Sequence, residues 1–168
     1  NPADAKKPWR LGVLCMNHEG YHSLCVLLTK AWLTDDDAYR GQVDMAWFEN
    51  GGGSGLICLT GGTDGELARL IIGKKPKEAH ALAERLKALF GDRLYVELQR
   101  AGRRHDEFAA ASLANLAVEH QIPVVATHPI QFINREDFEA HEVRCAIAEG
   151  FTLQDPRRSR LFSPEQYL

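Results

Sequence analysis

Two polar segments follow predicted strands, and their residue types could support chemistry at one edge of a sheet. The first is the turn 61–66, Gly-Gly-Thr-Asp-Gly-Glu, between an apolar strand and a helix. Free backbone amides at a helix start bind anions, so this turn is either an anion or ligand site or a plain tight turn. The second is 127–131, Thr-His-Pro-Ile-Gln, in which His128 is a candidate general base or metal ligand, or else a structural histidine.

The other histidines, the cysteines and the glycine run match no standard metal or phosphate motif. The seven histidines include no HxH or HExxH, and His18 with His22 forms only a weak two-residue candidate on one helix face. The four cysteines fit no CxxC zinc spacing, so we expect buried, reduced thiols. The run 51–55, Gly-Gly-Gly-Ser-Gly, lacks the P-loop pattern and predicts a flexible loop.

Composition is that of an ordinary globular protein of 168 residues, with 45% hydrophobic residues and a formal net charge of −3. This charge gives no electrostatic footprint for nucleic acid. The tail cluster Arg157-Arg158-Ser159-Arg160 is either solvated or in contact with a phosphate backbone. The apolar stretches are too short to cross a bilayer and no signal peptide is visible, so we expect a cytoplasmic protein. Because the chain starts without Met, we expect a processed or excised piece.

Alternating short apolar runs and amphipathic segments are typical of an α/β fold with parallel strands. Asn17 is a candidate N-cap, Pro76 a first-turn residue, Asp137 the cap of the last helix, and 34–42 a loop. Each strand is predicted to be buried on both faces, in either an open doubly wound sheet or part of a barrel. Strands are predicted at 11–16, 56–60, 94–98 and 123–127, and helices at 18–33, 43–49 (one turn), from 63 or 64 to Gly73, from 74–76 to Gly91, 108–120 and from 137.

Six segments, in order, resemble the PHP (polymerase and histidinol phosphatase) domain of bacterial DNA polymerase III alpha subunits. Each motif alone is modest, whereas six in order over nearly the whole chain form a strong signal. The segments are 17–24 (NHEGYHSL), 55–66 (GLICLTGGTDGE), 95–100 (YVELQR), 122–127 (IPVVAT), 137–142 (DFEAHE) and 155–168 (DPRRSRLFSPEQYL).

This resemblance implies a partial TIM-like (PHP-type) barrel with parallel strands and flanking helices. Residues 1–150 would be the C-terminal part of the PHP domain, and 151–168 a linker towards the polymerase palm. Three family metal-ligand positions fall on Gly62, Pro129 and Gln131, whose side chains cannot form a metal cluster, and His128 is a weak residual candidate. We therefore expect no catalytic residue, no cofactor and no metal in this chain.

The resemblance further implies a piece of a replicative DNA-directed DNA polymerase, a nucleotidyltransferase with Mg²⁺ expected elsewhere in the parent protein. Implied partners are the proofreading exonuclease (epsilon) subunit, the rest of the alpha chain and, for the parent protein, DNA, with no membrane. One alternative is a metal-dependent phosphoesterase or 3′–5′ exonuclease of the PHP type. Another is an unrelated α/β domain that binds a small anion at 61–66. We also expect the isolated chain to self-associate through exposed strand edges.

Overall fold

The computed structural model describes residues 8–33 and 41–168, so seven of the nine residues of the predicted loop 34–42 lie outside the described part. The described residues form four strands and five α-helices joined by short 3₁₀ turns. The strands are β1 Gly12–Cys15, β2 Leu56–Leu59, β3 Leu94–Gln99 and β4 Val124–Thr127; the helices are α1 His18–Trp32, α2 Glu66–Ile72, α3 Pro76–Phe90, α4 Asp106–Glu119 and α5 Phe138–Glu149; the 3₁₀ segments are Met45–Gly51, Gly62–Asp64, Gly91–Arg93 and Arg135–Asp137.

Local capping chemistry explains where several helices begin and end. The Asn17 side chain accepts a hydrogen bond from the Gly20 amide at 2.9 Å, which confirms it as the N-cap of α1. Pro76 lies in the first turn of α3, where its missing N–H costs nothing, and Gly91 follows the last residue of that helix. Asp137 is the N-cap residue of α5, as predicted, but its side chain makes no capping hydrogen bond to that helix. Its carboxylate instead accepts a hydrogen bond at 2.9 Å from the Asn134 amide, in the capping box of the preceding 3₁₀ turn.

The sheet has the order β1-β2-β3-β4 and is open and mixed in the described residues. β2, β3 and β4 are parallel, as predicted, but β1 runs antiparallel to β2, so the prediction of parallel strands throughout was wrong. The segment between β1 and β2 brings the chain back to the end of β1, where the Met16 amide donates to the Gly55 carbonyl at 2.9 Å. Gly20 of α1 packs on that same carbonyl, and a Cβ atom at Gly20 would clash with it. Hydrophobic periodicity contains no information about strand direction, so the antiparallel pairing of β1 with β2 could not be predicted from it.

Burial differs between the central and the edge strands. Leu56, Cys58, Leu94 and Val96 of β2 and β3 are fully buried. By contrast, Leu14 of β1 is 54% exposed and the first residue of β4 is 50% exposed, which contradicts the prediction that every strand is buried on both faces. An apolar run indicates burial only where layers cover both faces, and no strand of the described residues pairs with the outer edge of β1 or β4.

The core lies between the central strands and helices α2, α3 and α4. Small residues on the inner helix faces, such as Ala79, Ala83 and Ala109, are fully buried, so the helices approach the sheet closely. Larger side chains fill the remaining space, among them Leu67, Leu86, Phe90 and Leu113. This packing holds the carboxyl ends of β2, β3 and β4 at one edge of the sheet.

Cysteine burial was only partly predicted. Cys58 is buried in the core, and desolvation raises the pKa of its thiol to about 12. Cys145 is half-buried, whereas Cys15 and Cys25 are exposed, because β1 is an edge strand and Cys25 lies on the outer face of α1. All four thiols are free.

Candidate functional site

A hydrogen-bonded polar network joins the carboxyl ends of β2, β3 and β4. At its centre lies Glu97, whose side chain accepts a hydrogen bond from the Gly61 amide at 3.0 Å and another from the Thr127 hydroxyl. The Glu97 amide in turn donates to the Thr60 hydroxyl at 3.0 Å. The structure therefore brings together the two polar strand ends identified in the sequence. The Gly61 amide, which was a candidate for binding an external anion, is thus bonded to the carboxylate of Glu97.

Gln99 occupies the space beside Gly62, one of the three positions at which the resemblance places a metal ligand. Its carboxamide NH₂ donates to Glu97 at 3.0 Å and to Thr127 at 3.1 Å. Gly62 has a φ of +53°, and a Cβ atom built there would lie 2.3 Å from the carboxamide carbon of Gln99. A side chain at position 62 would therefore adopt a strained backbone conformation, and the Gln99 carboxamide would have to move to make room for it.

An arginine completes the network on the side of α4. Arg103 donates through Nε to Asp106 at 3.1 Å and through a terminal nitrogen to the Gln99 carboxamide oxygen at 2.7 Å. Its other terminal nitrogen lies 3.4 Å from Asp64. Every nitrogen of this guanidinium group thus has a partner within the protein.

Asp106 is 1% exposed and is the most buried carboxylate of the network. Burial acts to raise its pKa, but hydrogen bonds from the Ala101 amide, the Thr63 hydroxyl and Arg103 outweigh burial and leave the pKa below its ordinary value. The carboxylate therefore stays ionised, and its stabilising contribution is present above the unfolded-state pKa, near 3.9, and is lost as the pH falls through the folded-state pKa.

The other predicted site residues lie on the segment that follows β4. His128 and Gln131 are exposed, and Pro129 is half-buried. The buried side chain of Gln166 donates to the Pro129 carbonyl at 3.0 Å, and the Gln131 amide donates to the Gln166 carbonyl at 2.8 Å. This segment is therefore fastened to the C-terminal tail through backbone groups, and its side chains take no part in the strand-end network.

Two of the weaker sequence candidates, the glycine run and the basic cluster, have structural roles. The glycine run 51–55 binds a cationic side chain through a backbone carbonyl. Arg93 donates at 2.7 Å to the carbonyl of Gly53 and to that of Leu56, which follows the run. In the basic cluster, Arg157 is exposed, but Arg158 is buried and paired with Glu142 at 3.0 Å. The prediction that this cluster is solvated therefore holds for Arg157 but not for Arg158.

Sequence reasoning missed the polar face of β3 and the Arg103–Asp106 pair. Glu97 and Gln99 are two residues apart and thus point to the same face of the strand, at its carboxyl end. That spacing was the available signal, and it was present in the segment 95–100. The pairing with Arg103 had no such signal, because it depends on how the loop after β3 folds back.

One group of three residues in the described part has the side chains of a metal site. Donor atoms of His141, Glu142 and Cys145 lie within 4.8 Å of one another. The Glu142 carboxylate, however, is paired with the buried guanidinium group of Arg158, whose positive charge opposes a second cation. We therefore interpret this group as part of the packing between α5 and the tail.

An open cavity of about 1440 Å³ extends from the network across the face of the sheet. Its polar end is lined by Thr60, Glu97, Gln99 and Thr127, and its apolar end by side chains of α1 and α3 such as Leu27 and Leu86. The cavity thus reaches the same sheet edge at which the resemblance places its metal ligands.

Comparison with known proteins identifies the family. The family model of the PHP domain matches residues 2–101. The chain belongs to the PHP domain family. This PHP chain is similar to the DNA polymerase III subunit alpha of Neisseria meningitidis serogroup A, with 41% identity over 99% of the chain. The corresponding proteins of Vibrio cholerae and Escherichia coli K12 are 38% and 37% identical over 95% and 94% of it.

The PHP chain spans only about 15% of the length of these relatives. None of the helices in the described residues is long and apolar enough to cross a membrane.

Proposed function

We propose that this chain is the PHP portion of a replicative DNA polymerase III alpha subunit, a DNA-directed DNA polymerase of the cytoplasm. The similarity to three alpha subunits over 94% or more of the chain supports this assignment. In the parent protein, DNA synthesis and its Mg²⁺ belong to other parts of the chain. The portion described by the structure serves as support for the polymerase and as a docking surface for the proofreading exonuclease subunit.

The proposed architecture is part of a PHP-type barrel. Two features support it: the parallel β2–β3–β4 sheet with helices α2 to α4 packed on it, and the unpaired outer edges of β1 and β4 in the described residues. Unpaired edges bind further strands through their free N–H and C=O groups. In the parent protein, other strands of the barrel would pair there.

The strand-end site is proposed to have lost the metal-dependent phosphoesterase chemistry of the family. The observation that carries this proposal is the Gln99 carboxamide in the place of a side chain at position 62. A multinuclear cluster needs several thiolate, imidazole or carboxylate donors that converge on open space. Here Glu97 and Asp106 are instead committed to hydrogen bonds from Gly61, Thr127, Ala101 and Arg103.

Retention of Mn²⁺ and chelator-sensitive hydrolysis test this loss of chemistry. The parent alpha subunit and the 168-residue chain are loaded with Mn²⁺, dialysed and analysed for metal, then assayed on a 3′-labelled single strand and on a nitrophenyl phosphodiester. We expect no stoichiometric Mn²⁺ and no hydrolysis. Stoichiometric metal with activity that EDTA abolishes, and that Glu97→Gln removes, would establish the alternative function, a PHP-type phosphoesterase or 3′–5′ exonuclease.

The exonuclease partner is supported by the resemblance to alpha subunits and by exposed apolar side chains, for example Val143 and Ile147 of α5. Titration of the complete N-terminal region of the alpha subunit against the exonuclease subunit measures this interaction. We expect saturable binding that is lost when the PHP portion is deleted. Equal binding by the deletion variant, together with normal polymerase assembly, would contradict both the docking role and the supporting role.

A further inference from the structure

We propose that residues 163–168 form a fixed strap, and that this strap and Ile133 form a seat for the polypeptide that follows Leu168 in the parent alpha subunit. The inference rests on the proposed function, in which these 168 residues are one portion of a longer chain. It makes the last part of the tail an integral part of the domain, in contrast to the linker predicted for 151–168. The occupant of the seat is the parent chain itself.

Two buried polar side chains, those of Ser163 and Gln166, hold the strap in place. The Ser163 amide donates to the Gln166 carboxamide oxygen at 2.9 Å, and the carboxamide NH₂ of Gln166 donates to the Pro129 carbonyl at 3.0 Å. The Ser163 hydroxyl donates to the Ala101 carbonyl. Because a buried polar group without its partner lowers stability, these bonds together specify one position for the strap.

The strap joins the two loops that follow β3 and β4. Ala101 belongs to the loop after β3, and Pro129 to the segment after β4. The Gln166 carbonyl also accepts hydrogen bonds from the amides of Gln131 at 2.8 Å and Phe132 at 3.4 Å. The strap therefore fixes the two loops relative to each other, and it fixes the place at which residue 168 lies.

The direction of the strap determines where the following polypeptide starts. Tyr167 pairs with Phe132 in a parallel bridge, and the Leu168 amide donates to the carbonyls of Phe132 at 3.2 Å and Ile133 at 3.3 Å. Leu168 is therefore held beside Ile133, and the next residue of the parent chain begins there. The side chains of Ile133 and Leu168 are 69% and 78% exposed, so the seat presents two uncovered apolar groups at this point.

The parent chain is the occupant that these observations favour. The alpha subunits similar to this chain are much longer, since the chain spans only about 15% of their length. A segment joined covalently to Leu168 stays close to Ile133, so its effective concentration at the seat is high. A separate protein would instead lose translational and rotational freedom on binding there. Burial of Ile133 is favourable against apolar side chains, so we expect the segment after Leu168 to carry them.

Cysteine labelling of the parent alpha subunit tests the proposal. Ile133→Cys is treated with a maleimide in the native protein and in urea, and peptide mass spectrometry gives the labelling rate at this position. We expect the native rate to be at least about tenfold lower than the rate in urea, because the seat is covered in most molecules. Ile133 is mostly exposed within the 168 residues, so this protection has to come from residues outside them.

The matched control is Ile147→Cys, because Ile147 is a second strongly exposed isoleucine, 74% exposed, near the end of α5. It lies about 14 Å along the helix from Phe138, whose ring packs on that of Phe132 beside the seat. Its labelling rates in the native protein and in urea should be similar. Slowing of Ile147→Cys to the same extent as Ile133→Cys would overturn the proposal, since the protection would then not be specific to the seat.

Gln166→Ala tests the role of the strap in the same parent protein. The substitution removes the bonds to Ser163 and Pro129, so Ile133→Cys should be labelled faster, and protease should cleave more readily just after Leu168. Gln154→Ala, which changes an exposed glutamine of the same tail, should alter neither quantity. Equal labelling of Ile133→Cys with and without Gln166→Ala would overturn the strap.

The remaining outcomes identify other occupants of the seat. The proposal is overturned if Ile133→Cys is labelled as fast in the native parent as in urea, or is slowed only when the exonuclease subunit is added. Slowing that appears only at high protein concentration would indicate a second copy and would also overturn it. DNA synthesis by the unmodified parent is measured in parallel. Its absence would contradict the proposed function, whereas an active parent with fast labelling would contradict the seat alone.

Discussion

Two buried ion-paired clusters contrast in how completely their polar atoms are satisfied. At the strand ends, Asp106 and Arg103 are surrounded by partners from β3, α4 and the turn after β2, and every guanidinium nitrogen is paired. In the tail, Arg158 pairs with Glu142, but its Nε atom has no hydrogen-bond partner and lies 3.9 Å from Glu149. The first cluster is therefore expected to be the stiffer one and to contribute more to stability.

In both clusters, however, the buried carboxylates are paired with groups of the protein itself. Buried carboxylates that are committed to guanidinium and amide groups have few lone pairs left for a ligand. In the strand-end network Glu97 accepts three hydrogen bonds, and Asp106 accepts bonds from Thr63, Ala101 and Arg103. In the tail cluster the positive charge of Arg158 neutralises Glu142, the only carboxylate of the His141–Glu142–Cys145 group.

The largest expected effect is that of Asp106→Ala. The substitution leaves the Arg103 guanidinium and the Ala101 amide without their main partner in a buried place, so we expect a loss of about 3–5 kcal/mol in the free energy of unfolding. Chemical denaturation monitored by circular dichroism measures it. The control is Glu107→Ala, which breaks an ion pair with Arg100 that is more than 70% exposed and should change stability by less than about 1 kcal/mol. Similar losses in the two variants would contradict the importance of burial.

Arg158→Ala should have a smaller effect, of about 2–3 kcal/mol, because the Arg158 guanidinium group is less completely satisfied than that of Arg103. The variant should also make residues after 150 more accessible to protease, since Arg158 joins the tail to Glu142 of α5. Arg157→Ala is the neighbouring control, because Arg157 is exposed and its removal should leave both quantities near those of the parent. If Arg158→Ala lowers the free energy of unfolding by more than Asp106→Ala does, the ranking of the two clusters is wrong.

Gly62→Cys places a thiol, a side chain that can bind a metal, at position 62 and should destabilise the protein by about 2 kcal/mol. The cost combines a positive φ at a residue with a side chain and the clash with Gln99. Adding Gln99→Ala should recover the stability lost through the clash, but not the stability lost through the positive φ. A double-mutant cycle therefore separates the two contributions. A fully stable Gly62→Cys variant would show that Gln99 moves aside easily, and would reopen the strand-end site to a metal.

The smallest expected effect concerns the pH dependence due to His141 in the tail cluster. Burial lowers the pKa of this imidazole, and Arg144 adds to the shift. Because the folded-state pKa lies below 6.5, the unfolded state binds more protons, and stability should fall as the pH drops below about 6.5. His141→Gln should remove this slope in urea denaturation series. Above about pH 8, the difference in free energy of unfolding between the parent and His141→Gln reports the change in packing alone. If the pH dependence of stability is the same in both proteins, it is not due to His141.

The sequence by itself predicted most elements and the family. Apolar runs located all four strands to within a residue or two, and Asn17, Pro76 and Gly91 marked helix ends because capping depends on local chemistry. α4 begins at Asp106, two residues earlier than its apolar pattern indicated, because Asp106 is buried through contacts from other elements. The order of six motifs led to the PHP family, which the match over residues 2–101 confirms.

Strand direction, edge exposure and the hydrogen-bond partners of Glu97, Gln99 and Arg103 were decided only by the tertiary structure. Each depends on residues that are far apart in the chain, such as Gly20 with Gly55, or Thr63 with Asp106. Residue types at Gly62, Pro129 and Gln131 led to the prediction that a metal cluster is lost. The tertiary structure added what surrounds position 62, where the Gln99 carboxamide lies 2.3 Å from the place of a Cβ atom.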